Sequence, residues 1–267
     1  MSILQNFTLG QFVPSDSFVH RLDPRSKFLF LLVYAVVVFL SNQIWLYAVF
    51  TAILIFSLRL SKLSLAYIFR GLKPVWFLLV FTIILQLFLT KGGEVYVQWG
   101  WFSIEEDGVR QAFFIAMRLG LIVVMSSLLT LTTSPMDLTD GIEKMLGPFK
   151  KIGLPVHELA LMLSIAIRFI PTLLEETDKI MKAQMSRGAN FESGGMISRA
   201  KAMIAIVIPL FVSAFRRAED LALAMEARGY RGDVGRTKLR QLAFSYRDGL
   251  VIVFMILMVV AVGVWRV

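Results

Sequence analysis

Two tripeptides in the second half of the chain set an arginine between a small residue and a glycine: Ser186-Arg187-Gly188 and Ala227-Arg228-Gly229. A guanidinium is a planar fork of five donors that stays charged throughout the physiological pH range, and it suits insertion into an acidic groove on a partner protein. The small residue before it and the glycine after it clear space around the fork. The plainer account is that each tripeptide ends a helix. Arginine then complements the helix dipole, and glycine takes the left-handed conformation just beyond the last turn. One occurrence would need nothing more; two occurrences on similar segments shift the balance toward binding.

Other groups with chemical potential are few. Arg118 lies inside an apolar run, where a charge is costly and by default marks function, although a buried bond to an acid or to helix carbonyls is the simpler account. Arg168 is read the same way, and Gln86 as an interhelical hydrogen bond. Met162, Met181, Met185, Met203 and Met225 lie on the same segments as the tripeptides, as core or as an adaptable surface. The chain has no cysteine and two histidines, which leaves no disulfide, no thiolate and little metal or acid–base chemistry. His157-Glu158 lacks the second histidine of a metalloprotease helix, and no glycine-rich phosphate loop with its lysine occurs, so the chain itself is not expected to hydrolyse ATP.

The elements that must hold these residues follow from composition. Of 267 residues 57% are hydrophobic and 18% charged, too few charges to cover a water-soluble globule of this size. Apolar runs at Phe28–Leu40, Ile44–Leu58, Val75–Leu89, Ala112–Leu131 and Leu250–Trp265 predict about five membrane helices, extended to the headgroups by polar flanks. Ser41-Asn42-Gln43 is short enough to make the first two an antiparallel hairpin. Arg21, Arg25 and Lys27 precede the first run, and Arg59, Lys62, Arg70 and Lys73 separate the second from the third. Glu94, Glu105, Glu106 and Asp107 dominate the next loop, which puts the N-terminus in the cytoplasm. Tyr96, Trp99, Trp101 and Phe102 in that outer loop read as interface anchors. The net charge of +9 sits at the edges of apolar runs, where it meets headgroups; nucleic acid is not an expected partner.

Between Thr133 and Arg247 the pattern mixes apolar and charged residues. Ser134-Pro135 opens an amphipathic helix that stops at Gly147-Pro148. A long rod starts at Pro155, bends at Pro171 and ends at Arg187-Gly188. After a Gly194-Gly195 break, a second rod begins near Ser198, passes Pro209 and ends at Arg228-Gly229. Each has an Ile-Pro step followed by a charged stretch and an Arg-Gly end, a weak internal repeat with Pro171 and Pro209 as its joints.

The run His20-Arg21-Leu22-Asp23-Pro24-Arg25-Ser26-Lys27, the stretch Leu154-Pro155-Val156-His157-Glu158-Leu159, the step Arg168-Phe169-Ile170-Pro171 and the two Arg-Gly ends resemble the transmembrane T component of energy-coupling factor transporters over nearly the whole chain. The resemblance implies an all-α polytopic protein with long cytoplasmic coupling helices: membrane helices in residues 1–132, a coupling-helix region in 133–247, and a last membrane helix in 248–267. It implies partners too: two ABC ATPase subunits, and substrate-binding S subunits in the bilayer of the cell membrane. Arg187 would contact one ATPase and Arg228 the other, coupling ATP hydrolysis to uptake of vitamins or other micronutrients, with no cofactor and no enzymatic activity of its own. The first motif departs from the family's Ala-Arg-Gly by carrying Ser186. A rival reading from another class is an intramembrane enzyme on a lipid-linked phosphate substrate, with Arg118 or Arg168 holding the phosphate; it lacks an obvious acid or base.

Overall fold

The computed structural model describes residues 12–99, 102–189, 191, 195–232 and 242–266; Trp101 of the expected aromatic belt and Gly194 of the expected break lie outside them. The chain divides into two compact units, one made of Gly10–Gly141 with Leu242–Val267 and the other of Ile142–Gln241.

The first unit holds α1 (Pro24–Leu40), α2 (Ile44–Ser61), α3 (Leu65–Leu89), strands β1 (Val95–Trp99) and β2 (Phe102–Glu105), and α4 (Glu106–Thr132). α5 (Pro135–Leu146) starts in it, and α8 (Tyr246–Arg266) returns to it. Its helices are apolar on nearly every face. A small core of Tyr34, Val38, Tyr47, Phe50, Leu121, Leu128 and Met258 joins α1, α2, α4 and α8. Outside that core Phe56, Trp76, Phe77 and Leu257 are more than half exposed, an arrangement that only a hydrocarbon solvent makes favourable.

Among the described residues five helices are long and apolar enough to cross a membrane: Ile44–Ser61, Gly71–Leu89, Glu106–Thr132, Val156–Ser186 and Tyr246–Val264. α1 has 17 residues, about 25 Å of helix, so its polar flanks complete the crossing of a core about 30 Å thick, as the sequence implies. Leu159–Ile170 is part of a 31-residue helix that continues through Pro171.

Local chemistry fixes the ends. Asp23 caps α1 by accepting from the Arg25 N–H, with Pro24 in the first turn. Ser134 opens α5 as expected: its Oγ accepts from the Asp137 N–H at 3.1 Å and donates to Asp137 Oδ2 at 2.8 Å. A 3₁₀ turn, Gly147–Ile152, follows α5 where the stop was read. The acidic loop contains two strands, β1 and β2, which pair antiparallel with Val97 opposite Ile104 and Gln98 opposite Ser103. Glu105 closes this element by accepting from the Gly92 N–H and from Ser103 Oγ, contacts that hold its carboxyl below the usual glutamate range, the Ser103 bond foremost. Among the described residues Gln86 makes no interhelical side-chain bond; its Oε1 accepts from Thr90 Oγ1, one turn on, at the end of α3.

The second unit is built on two long helices, α6 (Val156–Ser186) and α7 (Met196–Ala227), packed against each other. Both continue through their prolines, Pro171 in α6 and Pro209 in α7.

Candidate functional site: two arginine-ended helices

α6 and α7 end alike. In each, the arginine is the last residue before the turn, with φ and ψ of −90° and 8° at Arg187 and −88° and 9° at Arg228. The following glycines, Gly188 and Gly229, are left-handed, with φ of 89° and 72°. Gly188 N–H donates to Met185 O and Ala189 N–H to Gln184 O, at 2.9 and 3.0 Å. The same pair recurs as Gly229 to Glu226 and Tyr230 to Met225, again at 2.9 and 3.0 Å. These bonds occupy carbonyls that a helix end leaves bare, and they require a residue that accepts positive φ. A Cβ added at either glycine would meet nothing within 4 Å, so the glycines are needed for backbone conformation and not for clearance. Ser186, Arg187, Gly188, Ala227, Arg228 and Gly229 are all exposed. The imperfect repeat in the sequence is a close repeat in geometry.

Between the two helices lies a polar clamp that the sequence reading did not single out. Glu176 of α6 accepts from Ser213 Oγ and, at 3.0 Å, from Arg217 Nη2, both on α7. Gln184 Nε2 of α6 donates to the Ala205 carbonyl of α7 at 3.4 Å. Ala205 stands four residues before Pro209, whose missing N–H frees that carbonyl from its helical bond. The Pro209 position thus supplies an acceptor to the partner helix. Around the clamp the faces are apolar and open: Met162, Met203, Val207, Phe211 and Phe215 are more than half exposed. The methionines named from the sequence are therefore surface here and not core, apart from the half-buried Met181 and Met225.

Arg118 has a closed shell in the first unit. Its guanidinium donates to Tyr47 Oη at 2.8 Å, to Ser41 O at 2.8 Å and to Asn42 Oδ1 at 2.7 Å, holding the α1–α2 turn against α4. These are neutral carbonyl and hydroxyl partners, not an acid, and they give Arg118 a structural role in the first unit. Arg168 is exposed and, among the described residues, in no ion pair.

The motif from His20 to Lys27 proves to be stitching. Lys27 Nζ donates to Thr132 O at 2.8 Å and to Thr133 Oγ1 at 3.2 Å, tying α1 to the end of α4. The buried Asp248 accepts from Asp23 N–H at 2.9 Å and from Ser245 N–H at 2.8 Å, tying α1 to α8. Arg25 clasps Asp23 through two nitrogens and stacks on the Phe244 ring at 4.0 Å. Asp248 was missed although Ser245-x-x-Asp248 is a capping pattern before an apolar run.

The class is now defined: a polytopic α-helical membrane protein with a helical pair whose two ends present equivalent, exposed arginines. Residues 15–239 match the CbiQ family, described as cobalt transport protein. The chain is 61% identical to the energy-coupling factor transporter transmembrane protein EcfT of Brevibacillus brevis, over 99% of this chain and all of that one. It is 52% identical to EcfT of Macrococcus caseolyticus over 93% and 94% of the two chains, and 47% identical to EcfT of Bacillus subtilis over 96% and 97%. The chain belongs to this family, the transmembrane T components of energy-coupling factor transporters.

Proposed function

We propose that the chain couples two ABC ATPase subunits to a substrate-binding S subunit, with Arg187 seated in one ATPase and Arg228 in the other on the cytoplasmic face of the cell membrane. The observation that carries this reading is the equivalence of the two ends: two ATPase subunits offering like grooves call for two like arginines, and the φ and ψ of the arginines and the two bonds that close the turn after them match at both. Both arginines are exposed and, among the described residues, in no ion pair, which leaves their forks open to a partner. The apolar faces of α6 and α7 suit an S subunit, since methionine and phenylalanine make a surface that repacks against more than one partner. The basic loops before α1 and between α2 and α3, against the acidic β1–β2 segment, support a cytoplasmic N-terminus. Pro171 and Pro209 serve as yielding points through which displacement of the tips travels, because each removes one bond from its helix. The transported compound is a vitamin or another micronutrient, chosen by the S subunit.

The test is a mild-detergent pull-down of the tagged chain from native membranes beside Arg187→Glu/Arg228→Glu. Wild type should bring down two ABC ATPases and small membrane proteins; the double variant should keep the small membrane proteins and lose the ATPases. Equal ATPase recovery from both would overturn the assignment.

A further inference from the structure

α2 and α8 do not close on each other. They stand as opposite walls of an apolar groove in the first unit, made of two cavities of about 470 and 560 Å³ that share Ile53 and Phe254. The first runs from Leu60 and Leu250 to that shared neck; the second continues to Trp45 and Ala261. Along α2 the first cavity runs over eight residues, Ile53 to Leu60, a rise of about 10.5 Å, and the whole groove over sixteen, a rise of about 22 Å. The lining of both cavities is almost wholly apolar, a surface that flexible hydrocarbon covers. One leaflet is about 15 Å deep, so a chain entering at the Leu60 end passes the neck and stops inside the second cavity.

The end at Leu60 and Leu250 is cationic. Phe18 lines it, and the Arg247 guanidinium lies 5.9 Å from the Phe18 ring centre. Lys62 follows Leu60 by two residues and is exposed. Arg21 pairs with the exposed Asp16. The Asp16 carboxyl is held below the usual aspartate range, first by its hydrogen bond from Arg21 and further by the charges of Lys62 and Arg247, which places three cations around one carboxylate. Among the described residues neither Lys62 nor Arg247 is in an ion pair. Lys27 also lines the cavity, but its ammonium is spent on Thr132 O, Thr133 Oγ1 and His20 O, so the interior itself offers no anion site. Asp248 is turned inward to two backbone N–H groups.

We infer that this groove is a binding site for one anionic phospholipid, its acyl chain between α2 and α8 and its phosphate on Lys62 and Arg247. A zwitterionic lipid fills the same hydrocarbon space but brings its own cation to the cationic mouth. The site therefore discriminates by headgroup charge and not by chain. Each basic residue near an anionic headgroup contributes about a fivefold preference, which makes the pair worth about 30-fold.

The experiment is native mass spectrometry of the full-length chain in mild detergent, titrated with dioleoylphosphatidylglycerol or dioleoylphosphatidylcholine. Wild type should retain one phosphatidylglycerol under conditions that strip phosphatidylcholine. Lys62→Asn/Arg247→Gln should lower phosphatidylglycerol retention by about 30-fold and leave phosphatidylcholine unchanged, each single variant giving about fivefold. Asparagine is chosen at 62 because that residue has φ of 56°, which asparagine tolerates. Ile53→Trp, which plugs the neck, should lower retention of both lipids while helicity stays at the wild-type value. Equal retention of the two lipids by wild type, or an unchanged preference in the charge variants, overturns the site. So does displacement by glycerol 3-phosphate, which would make the mouth an anion site without a lipid chain, or recovery of a protein seated in the groove.

Discussion

Three charged side chains of the membrane unit and three of the two-helix unit are treated in opposite ways. In the membrane unit Lys27, Arg118 and Asp248 are bound by carbonyls, hydroxyls or backbone N–H groups. In the two-helix unit Arg168, Arg187 and Arg228 project into open space. The difference shows that an arginine in a membrane protein is not informative by type or depth alone. What separates a structural charge from a recognition charge is whether its partners lie within the chain. A satisfied buried charge locks one geometry, because breaking it strands the other partner. An exposed guanidinium at a rigid helix end costs this chain nothing and waits for an acceptor elsewhere.

The sharpest way to break this contrast is charge reversal on both sides of it. Arg228→Glu should abolish uptake in cells while the protein stays in the membrane at wild-type level, and Arg187→Glu should do the same to a comparable or lesser degree. Loss of a central arginine at an interface costs at least about 2 kcal/mol, about 30-fold in affinity, and the opposite charge adds repulsion. Normal uptake in both single variants would remove the recognition role. Asp248→Ala belongs to the other side of the contrast. It leaves the Asp23 and Ser245 N–H groups bare, at about 1–3 kcal/mol each, so the purified chain should lose thermal stability in detergent. Arg118→Ala should act the same way by releasing the α1–α2 turn. A destabilisation by Arg228→Glu as large as that from Asp248→Ala would erase the distinction between the two units.

A smaller effect is expected at the clamp, which joins the two behaviours because its charges are partly exposed yet paired. Glu176→Ala should leave the protein folded and lower uptake several-fold by letting the tips of α6 and α7 lose their mutual register. The ion pair itself is worth no more than about 1 kcal/mol at this exposure. The exchanged pair Glu176→Arg/Arg217→Glu should recover part of the uptake lost in either single change. Recovery is the measurement that separates positioning from mere packing, and its absence would assign the loss to packing around Ser213.

What could be read in the sequence was local. The ends of α5, α6 and α7 are written in Ser134-Pro135, Gly147-Pro148 and the two Arg-Gly steps, because capping and positive φ depend on a few adjacent residues. The apolar runs gave α2 and α8 within a few residues and the C-terminal ends of α3 and α4, but missed the first ten residues of α3 and the polar first turns of α4. The stitching was not legible: Lys27 meets a residue 105 positions on, Asp23 one 225 positions on, and nothing in their types names the partner. Pro171 and Pro209 were read as joints because proline removes a helical bond. Inside a long helix the loss of one bond is tolerated, and at Pro209 the freed carbonyl is taken up by Gln184. The β1–β2 pair was missed because its aromatic residues had a sufficient explanation as interface anchors.

The smallest expected effect tests whether the two helix ends are equivalent in energy as well as in shape. Gly229→Ala forces a Cβ into a left-handed conformation at about 1 kcal/mol, with no steric contact to add, since open space surrounds the position. Gly188→Ala should cost the same. Gly229→Asn and Gly188→Asn should cost less, because asparagine enters that region more readily. Amide hydrogen exchange at Tyr230 and Ala189, whose N–H groups close the two ends, reports the opening directly. If the alanine variants accelerate exchange by about fivefold at both ends and the asparagine variants by less, conformation alone accounts for the glycines. If Gly229→Asn leaves exchange at the wild-type rate but still impairs ATPase recovery, the glycine also serves clearance inside the partner's groove, a role invisible in the chain on its own.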